Sequence, residues 1–443
     1  MARQLPLKKD TDAPIAFFFL YLYTFSILVR PHEFSIATEE YIFIQIFAIL
    51  SFMFTVFALR PIKIVPQHLM LFALAPLIVI SGFFNGSGME GVEEAEKIFI
   101  SSIIPFFLFS LCTTSIKRQH MLMYLCIFAA LIMVYNGYYQ QTHFNGRTGY
   151  GIGHSQSVAG IEMRIAYLGF FGDPNDLGMF LVLNVPFVAY FYSEGGFAKK
   201  SVMLLILAAL CYGIYMTGSR GTLLGIIGLI SVYYLITKAG AKLILFALLA
   251  APIAATLLTK FGGLSSDDDS SQGRLEAWYA GVQMLMANPV FGVGTGNFLE
   301  EHGLVAHNSY IHVAAELGVP GYSLWGGVLI LSMLIGYLLM KKYMTFDEEG
   351  VTEELKLQYA AELKLNKTLF FSMVGFMITA FFISRHFTLL LFVFLGMFTA
   401  SHLRIMQMRP ELSHLLEPRM LIKCAWYSWA VIVAVYAALK VGL

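Results

Sequence analysis

The sequence predicts an all-α fold: a polytopic membrane bundle of about 12 to 13 transmembrane helices with a helical loop on its outer side. Two observations predict it. Of the 443 residues, 58% are hydrophobic and 13% are charged, and the mean hydropathy is +0.70. Apolar runs of about 17 to 25 residues recur along the chain, each able to cross a hydrocarbon layer about 30 Å thick as a helix. A soluble globular enzyme is excluded, and we treat residues 1–443 as one integral membrane domain.

The predicted spans follow one another in chain order. We place them at 15–29, 41–59, 68–84, 98–113, 121–139, 177–193, 201–217, 221–236, 243–260, 321–340, 368–384, 387–403 and 424–441. The first run follows Arg3, Lys8 and Lys9 without a small-residue cleavage site, which predicts a retained helix and not a removed signal peptide. The count falls to twelve if Trp426 and Trp429 only rest at the membrane interface.

The basic residues predict the orientation of the bundle. With a cytoplasmic N-terminus, twenty of the 29 Lys and Arg residues fall on the cytoplasmic side. The other nine fall on the outer side: Arg30, Lys97, Arg147, Arg164, Arg220, Lys260, Arg274, Arg385 and Lys440. Arg30 and Lys97 are open to a local explanation, snorkelling at helix ends. The remaining five arginines predict an anion site, because a guanidinium fork matches phosphate and carboxylate.

Three segments are predicted to lie outside the bilayer. They are a first outer loop at 140–176, a large outer loop at 261–320 and a cytoplasmic amphipathic segment at 342–367. In the last segment Glu and Lys recur at helical spacing, so pairs such as Glu353 and Lys356 are expected to be solvated. The four cysteines fall in or beside apolar runs without the spacing of a metal site or a disulfide framework.

Acidic residues occur at two places in the outer loops. In GFFGDPNDLGMF, either Asp173 or Asn175 is expected to cap the next helix, with Pro174 in its first turn. Asp173 and Asp176 would also share a helix face, which leaves open a metal site or an acid and base pair. The run 267–269 of three aspartates reads as a solvated loop and helix start, with a metal site as the alternative.

The large outer loop carries the densest set of chemical groups. From GRLEAW onward, an amphipathic helix is predicted whose apolar stripe packs on lipid or on the bundle and whose first turn holds Arg274. The stripe comprises Leu275, Trp278, Val282, Leu285 and Met286. The glycine turn GVGTGNF lacks the Lys-Ser or Lys-Thr of a phosphate loop, which argues against nucleotide binding.

The run HNSYIHVAAELG holds two histidines. On a helix, His307 would lie near Tyr310, and His312 near Glu316. A histidine among anion-binding groups suits a general base, although a hydrogen-bonded structural histidine and a zinc ligand remain open. His307 and His312 are spaced poorly for sharing a metal and show no third ligand, so we predict no metal. Tyr310 could hydrogen-bond a substrate or act as an interfacial tyrosine.

These motifs carry a resemblance to a known family. TGSRGTLLG at 217–225, GRLEAW at 273–278, and FGVGTGNF followed by HNSYIHVAAELGVPG resemble the O-antigen ligase and O-antigen polymerase superfamily of bacterial membrane glycosyltransferases. FGDPNDLG at 171–178 is also similar to a motif frequent in these proteins. The resemblance covers roughly residues 140–340 in good motif order, and the preceding residues resemble the family only in being a string of membrane helices.

The resemblance implies an activity and residue roles. A glycan would move from a polyprenyl (undecaprenyl) diphosphate carrier to an acceptor hydroxyl at the periplasmic face of the bacterial inner membrane. Arg220 and Arg274 would engage the diphosphate, and His307 would be the general base. No cofactor is expected, and two arginines near the leaving group would make a metal unnecessary. Arg147, Arg164, Arg385, Asp173, Tyr310 and His312 are secondary candidates for binding substrate.

The acceptor separates two functions that share this chemistry. A ligase would use lipid A core or another envelope acceptor, whereas a polymerase would use a second carrier-linked glycan; we favour the ligase for lipopolysaccharide assembly. A transporter or flippase for a lipid-linked glycan would also collect arginines. Transporters place their sites near the bilayer midplane in repeated halves, whereas the charged candidates here gather at one face. The expected partners are therefore a lipid-linked donor, an acceptor and membrane lipid, and not nucleic acid.

Overall fold

The predicted helical membrane fold is confirmed. The computed structural model of the chain describes residues 12–34, 37–143, 156–158, 162–239, 268–346 and 351–442. Its α-helices, numbered α1 to α15 in chain order, are Pro14–Val29, Phe43–Ala58, Pro66–Phe84, Met89–Ile98, Ile104–Cys112, Ile116–His143, Pro174–Ser193, Phe197–Met216, Arg220–Tyr234, Asp268–Ala287, Phe298–His302, Ser309–Lys341, Glu353–Thr379, Leu389–Met408 and Pro418–Gly442. The predicted span 243–260 and Arg147 lie outside the described residues.

Within the described part of the chain, ten helical segments are long and apolar enough to cross a membrane. One of them, Met89–Cys112, joins α4 to α5 through a wider helical turn at Phe99–Ile103. The helix α2 is shorter but also apolar. The protein is therefore a multi-pass membrane protein, as the recurring apolar runs predict.

Two predicted spans have different boundaries in the structure. The helix α12 begins at Ser309 and continues to Lys341 through a kink at Gly318, where φ is 62° and Pro320 follows. From Ser309 onward, the run HNSYIHVAAELG and the span predicted at 321–340 therefore belong to one kinked helix. The helix α13 joins the predicted cytoplasmic segment to the span predicted at 368–384 and ends at Thr379. The five residues after Thr379 form a turn and not the end of a helix.

The charged part of α13 is only partly solvated. Glu353 and Lys356 form the exposed pair that the sequence predicts, with Nζ and Oε1 2.8 Å apart. Glu362, however, is buried, and Arg404 of α14 donates to its two oxygens at 2.6 and 3.0 Å. A buried ion pair of this two-point geometry fixes α13 against α14.

A short β-hairpin occupies part of the loop predicted at 140–176, where the sequence predicts no regular structure. Strands β1, Gln156–Val158, and β2, Glu162–Arg164, pair antiparallel. The backbone N–H of Ile165 then donates to the carbonyl of Met216 at 3.1 Å. This bond ties the segment after β2 to the end of α8. Strands of three residues are too short to show a recognisable alternation in the sequence.

The helix α15 packs on the bundle, which supports counting it as a full helix. Tyr322 of α12 donates from its hydroxyl to the carbonyl of Ser428 at 2.9 Å. Trp429 donates from Nε1 to Ser323 Oγ at 3.0 Å, so this tryptophan faces a helix, whereas Trp426 is exposed. Bonds of this kind between membrane helices contribute about 0.6 to 1.7 kcal/mol each.

The helix α10 lies against the bundle through most of its predicted stripe. Trp278, Val282 and Leu285 are buried, and Leu275 packs against the core. Met286 is exposed on the protein surface, so it does not share the packing of the stripe on the bundle. The spacing is the reason: a residue adjacent to Leu285 is rotated about 100° around the helix, away from the packed face.

Candidate active site

The predicted site residues gather at one end of the bundle, where α7, α9 and α12 begin; we call it the arginine end. Asn175, in the first turn of α7, joins its parts. Its Oδ1 accepts from Ser219 Oγ at 2.6 Å and from Arg164 Nη2 at 3.2 Å, and its Nδ2 donates to Asp173 Oδ1 at 2.8 Å. The FGDPNDLG motif is thereby connected to the TGSRG motif at the start of α9.

The two carboxylates of the FGDPNDLG motif face Arg385, in the turn after α13. Arg385 donates from Nε to Asp176 Oδ1 at 2.6 Å and from Nη2 to Asp173 Oδ2 at 3.2 Å. Asp173 also accepts from the backbone N–H of Asn175 at 2.8 Å and caps α7, with Pro174 following it as predicted. Both carboxylates are ion-paired with Arg385, which favours the predicted capping role of Asp173 over a metal site or an acid and base pair. The geometry gives Arg385 and Asp173 a bracing role between α7 and this turn.

Arg164 and Arg220 both lie near Arg274, beside this brace. Arg220 is exposed at the first position of α9, and Arg164 donates from Nε to the carbonyl of Thr217 at 2.7 Å. Arg274 is half-buried on α10, which begins at Asp268; the predicted placement of Arg274 in the first turn is therefore wrong, and it lies in the second. Burial lowers the pKa of Arg274, and the positive charges of Arg220 and Arg164 lower it further. An anion among these side chains would relieve their mutual repulsion.

His307 lies just before α12 and not on it, which corrects the prediction that His307 and Tyr310 share a helix. Its backbone has a φ of 47°, in the left-handed region. Asn308 caps α12 by accepting from two backbone N–H groups at 3.0 and 3.1 Å. On the other side of His307, the carbonyl of Ala306 accepts from Trp278 Nε1 at 2.8 Å. Hydrogen bonds therefore fix the residues on both sides of His307. The bond at Ala306 joins this segment to α10, the helix that carries Arg274.

The surroundings of His307 favour its neutral form. Burial lowers the pKa of His307, and the charge of Arg274 lowers it further, with smaller contributions from Arg385 and His312. Asp173 acts in the opposite direction. Because the lowering effects dominate, the imidazole is unprotonated at neutral pH and can accept a proton.

Tyr310 has its hydroxyl engaged inside the protein. The side chain is buried and donates to the carbonyl of Met377 at 2.8 Å. Its ring also lies 5.7 Å from that of Trp325, edge to face. These contacts argue against the predicted interfacial or substrate-binding role and indicate that Tyr310 packs α12 against α13.

The glycine turn GVGTGNF is bound to a protein carboxylate. Glu316 Oε1 accepts from the backbone N–H groups of Gly296 at 2.9 Å and of Phe298 at 3.4 Å. The backbone N–H groups of Val293 and Gly294 donate to carbonyls of α12 at 2.9 and 3.0 Å. The turn therefore uses its donors to hold the kink of α12, which agrees with the prediction that it is not a nucleotide loop.

The sequence gives no sign of the joining role of two residues at the arginine end. Asn175 and Ser219 join separate motifs, although a Ser before a helix in the sequence indicates only a cap. Ser219 does cap α9, accepting from Thr222 N at 3.2 Å, while its hydroxyl proton goes to Asn175. Pairings between residues so far apart in the chain leave no local signal.

One comparison with known proteins bears on this end of the molecule. Residues 204–326 match a model of the O-antigen ligase family. This stretch of the chain is similar to the O-antigen ligase domain. The matched range begins within α8 and ends within α12, so it contains Arg220, Arg274 and His307. Members of this family are glycosyltransferase-like membrane enzymes, and the resemblance seen in the motifs is confirmed. No curated protein matches the chain.

Proposed function

We propose that this protein is an O-antigen ligase-type glycosyltransferase of the bacterial inner membrane, with its site facing the periplasm. It would transfer a glycan from a polyprenyl diphosphate carrier to an acceptor hydroxyl of lipid A core or another envelope molecule. The observation that carries the proposal is the approach of Arg164 and Arg220 to Arg274, beside a histidine held in its neutral form. Such a transfer requires cations that stabilise the leaving diphosphate and a base that accepts the proton of the acceptor hydroxyl.

The arginines would bind and stabilise the leaving diphosphate. Arg220 and Arg274 present guanidinium forks, which match phosphate oxygens two at a time. Arg220 is also the first residue of α9, where the helix dipole adds positive potential. As the bond between the anomeric carbon and the diphosphate oxygen breaks, negative charge grows on that oxygen and these groups stabilise it.

His307 would act on the acceptor. The acceptor oxygen attacks the anomeric carbon, the diphosphate leaves with the electron pair of the broken bond, and the acceptor proton passes to the imidazole. A direct displacement of this kind inverts the anomeric configuration. With two arginines neutralising the diphosphate, the proposed step needs no metal at the leaving group.

A reconstituted assay with purified lipid-linked donor and acceptor tests the roles. We expect His307→Ala to lower turnover by about 10²- to 10⁴-fold, the usual contribution of a general base. Arg220→Ala and Arg274→Ala should each lower it by about 10²- to 10³-fold, as for loss of one charge-stabilising group. Arg60→Ala, an exposed arginine far along the chain from these motifs, is the matched control and should retain wild-type turnover. Full activity in both site arginine variants would refute the diphosphate site.

Glycans from a deletion strain separate ligase from polymerase. If the protein is a ligase, long chains accumulate on the lipid carrier and none are attached to the acceptor. If it is a polymerase, single repeat units replace long chains. The second result would retain the transfer chemistry and reassign the acceptor.

A further inference from the structure

We propose that His312, Glu316 and His386 form a binding site for one Zn²⁺ ion, separate from the arginine cluster. His312 and Glu316 lie one turn apart on α12, and His386 comes from the turn between α13 and α14. One ligand atom from each residue lies within 4.8 Å of the other two. The group is not visible in the sequence as a metal motif, because its third member is 70 positions from the second.

The separations suit a tetrahedral ion. Ligands about 2.1 Å from Zn²⁺ lie about 3.4 Å from one another in tetrahedral geometry. In the structure His312 Nε2 is 3.0 Å from Glu316 Oε1, and His386 Nε2 is 3.9 Å from Glu316 Oε2. These two distances run to different oxygens of the carboxylate. With one ligand atom from each residue the separations stay within 4.8 Å, so side-chain movements of about 1 Å would bring the three atoms to the tetrahedral spacing. Two imidazoles and one carboxylate are a donor set that Zn²⁺ uses in proteins.

The groups behind the three side chains hold them in place. His312 Nδ1 is 2.9 Å from Ser384 Oγ, which leaves Nε2 directed at the carboxylate. Backbone N–H groups of Gly296 and Phe298 donate to Glu316 Oε1. Hydrogen bonds from outside the ligand shell are the usual means of fixing the tautomer and orientation of metal ligands.

Burial gives a second, independent reason to expect a cation. Glu316 is 2% exposed, and within the described residues its side chain contacts two imidazoles and backbone N–H groups but no lysine or arginine. His386 is 9% exposed, and its Nδ1 has no hydrogen-bond partner in the same part of the chain. A carboxylate removed from water without a full positive charge is costly. A bound divalent ion would supply that charge.

The ion would have a positioning role. It would fasten α12, just beyond His307, to the turn that contains Arg385, so that two parts of the arginine end keep their separation. The three ligands contact neither His307 nor the arginine cluster among the hydrogen bonds and ion pairs described for them. Metal binding and glycosyl transfer can therefore be measured separately.

Metal content of the purified full-length protein tests the proposal. After exposure to Zn²⁺ and removal of free ion, elemental analysis should find one Zn²⁺ per chain in the wild type. Co²⁺ in place of Zn²⁺ should give the visible absorption of a tetrahedral site. His312→Gln and His386→Asn should each lose both signals, whereas His302→Asn, a histidine elsewhere at this end, should keep them. Zn²⁺ should raise the unfolding temperature of the wild type and of His302→Asn only.

Two outcomes would overturn the site. Wild-type protein that retains no Zn²⁺, shows no Co²⁺ band and unfolds at the same temperature with or without the ion would show that the cluster is a hydrogen-bonded structural group. One bound ion in both ligand variants would place the metal elsewhere. If a variant fails to fold, the wild-type titration still decides. Neither outcome affects the transfer proposal, which rests on His307, Arg220 and Arg274.

Discussion

At the scale of single residues, His307 combines an unusual backbone with an unusual charge environment. A φ of 47° is uncommon for a residue other than glycine, and histidine is among the residues that tolerate it. Arg274 lowers the pKa of His307 and is at the same time a proposed ligand of the diphosphate. The base and the anion site are thus coupled electrostatically, which can be measured.

The pH dependence of kcat/KM should reveal this coupling. A base with a lowered pKa stays neutral as pH falls to below its ordinary value, so wild-type transfer should decline only when pH passes below that lowered pKa. In Arg274→Gln the positive neighbour is gone, the pKa of His307 rises, and the decline should begin at higher pH. Arg220→Gln is the control: Arg220 does not contribute to the shift at His307, so its rate should fall without movement of the profile. Superimposable profiles for wild type and Arg274→Gln would contradict the coupling.

Asn175 should matter for stability as well as for activity. In Asn175→Asp a carboxylate replaces the amide that donates to Asp173 Oδ1 at 2.8 Å, which substitutes repulsion for a hydrogen bond. Loss of a buried or half-buried hydrogen-bonding partner costs about 1 to 3 kcal/mol. Thermal unfolding in detergent should show the loss, and Asn288→Ala, at an exposed asparagine just after α10, should not. Equal unfolding temperatures for wild type and Asn175→Asp would contradict the joining role.

The sequence identifies residue types here but not their partners. The motif order brings Arg220, Arg274 and His307 into consideration. Cap chemistry offers Asp173 and Asn175 as caps of α7, and Asp173 is the one that caps it. The sequence could not show that Asp176 faces Arg385 or that His386 approaches Glu316, because only the fold brings those pairs together. The prediction for Tyr310 failed for the same reason. Its amphipathic side chain suits a membrane interface, and the sequence does not show that its hydroxyl bonds to α13.

At the scale of elements, close helix contacts position the motifs. A Cβ added to Gly178 of α7 would lie 2.4 Å from Thr222 Oγ1 and 2.9 Å from Thr222 Cβ. Rotation of the threonine cannot relieve the second contact. The starts of α7 and α9 therefore approach closely enough for Asn175 to reach Ser219.

Gly178→Ala should separate these two helices. Overpacking of this kind costs about 1 to 3 kcal/mol, so the unfolding temperature should fall, and transfer should fall with it because Arg220 begins α9. Gly273→Ala is the matched control: its added Cβ meets one side-chain atom at an ordinary 3.6 Å, and the helical setting favours alanine. A Gly178→Ala protein as stable as the control would show that the contact does not fix the spacing.

Helices are the best-predicted elements, for a physical reason. A span must be a long apolar run, so α1, α3 and α14 are read directly from composition. The predicted ends of helices are wrong where a charged residue is paired inside the protein. Glu362 is predicted to be solvated, but it is paired with Arg404, and α13 continues past it. The hairpin of β1 and β2 is held by backbone bonds that composition does not encode.

At the scale of the whole molecule, the orientation of the bundle decides whether donor and acceptor can meet at the arginine end. Cysteine labelling tests it. Of the four cysteines only Cys211 is exposed, so the Cys211→Ser protein has no exposed native thiol that would react with the label. In that background Glu300→Cys, at an exposed residue of α11, should react with an impermeant maleimide in cells with a permeable outer membrane. Leu357→Cys, on the exposed side of α13, should react only after the inner membrane is opened. The reverse pattern would place the arginine end in the cytoplasm.

The arginine end is assembled from segments spread over more than half of the chain. Arg164 ends β2, Arg220 begins α9, Arg274 lies on α10, His307 precedes α12 and Arg385 follows α13. Such a site forms only when the bundle is complete, which is why its chemistry could be predicted from motifs while its geometry could not.

Donor binding and transfer measured on the same protein preparations test the central claim most directly. We expect His307→Ala to bind the polyprenyl diphosphate donor like the wild type but to transfer its glycan about 10²- to 10⁴-fold more slowly, because only the base is missing. We expect Arg274→Ala to lose both binding and transfer, because the diphosphate contact is missing. Wild-type transfer by His307→Ala, or undiminished donor binding by Arg220→Ala and Arg274→Ala together, would contradict the proposed roles.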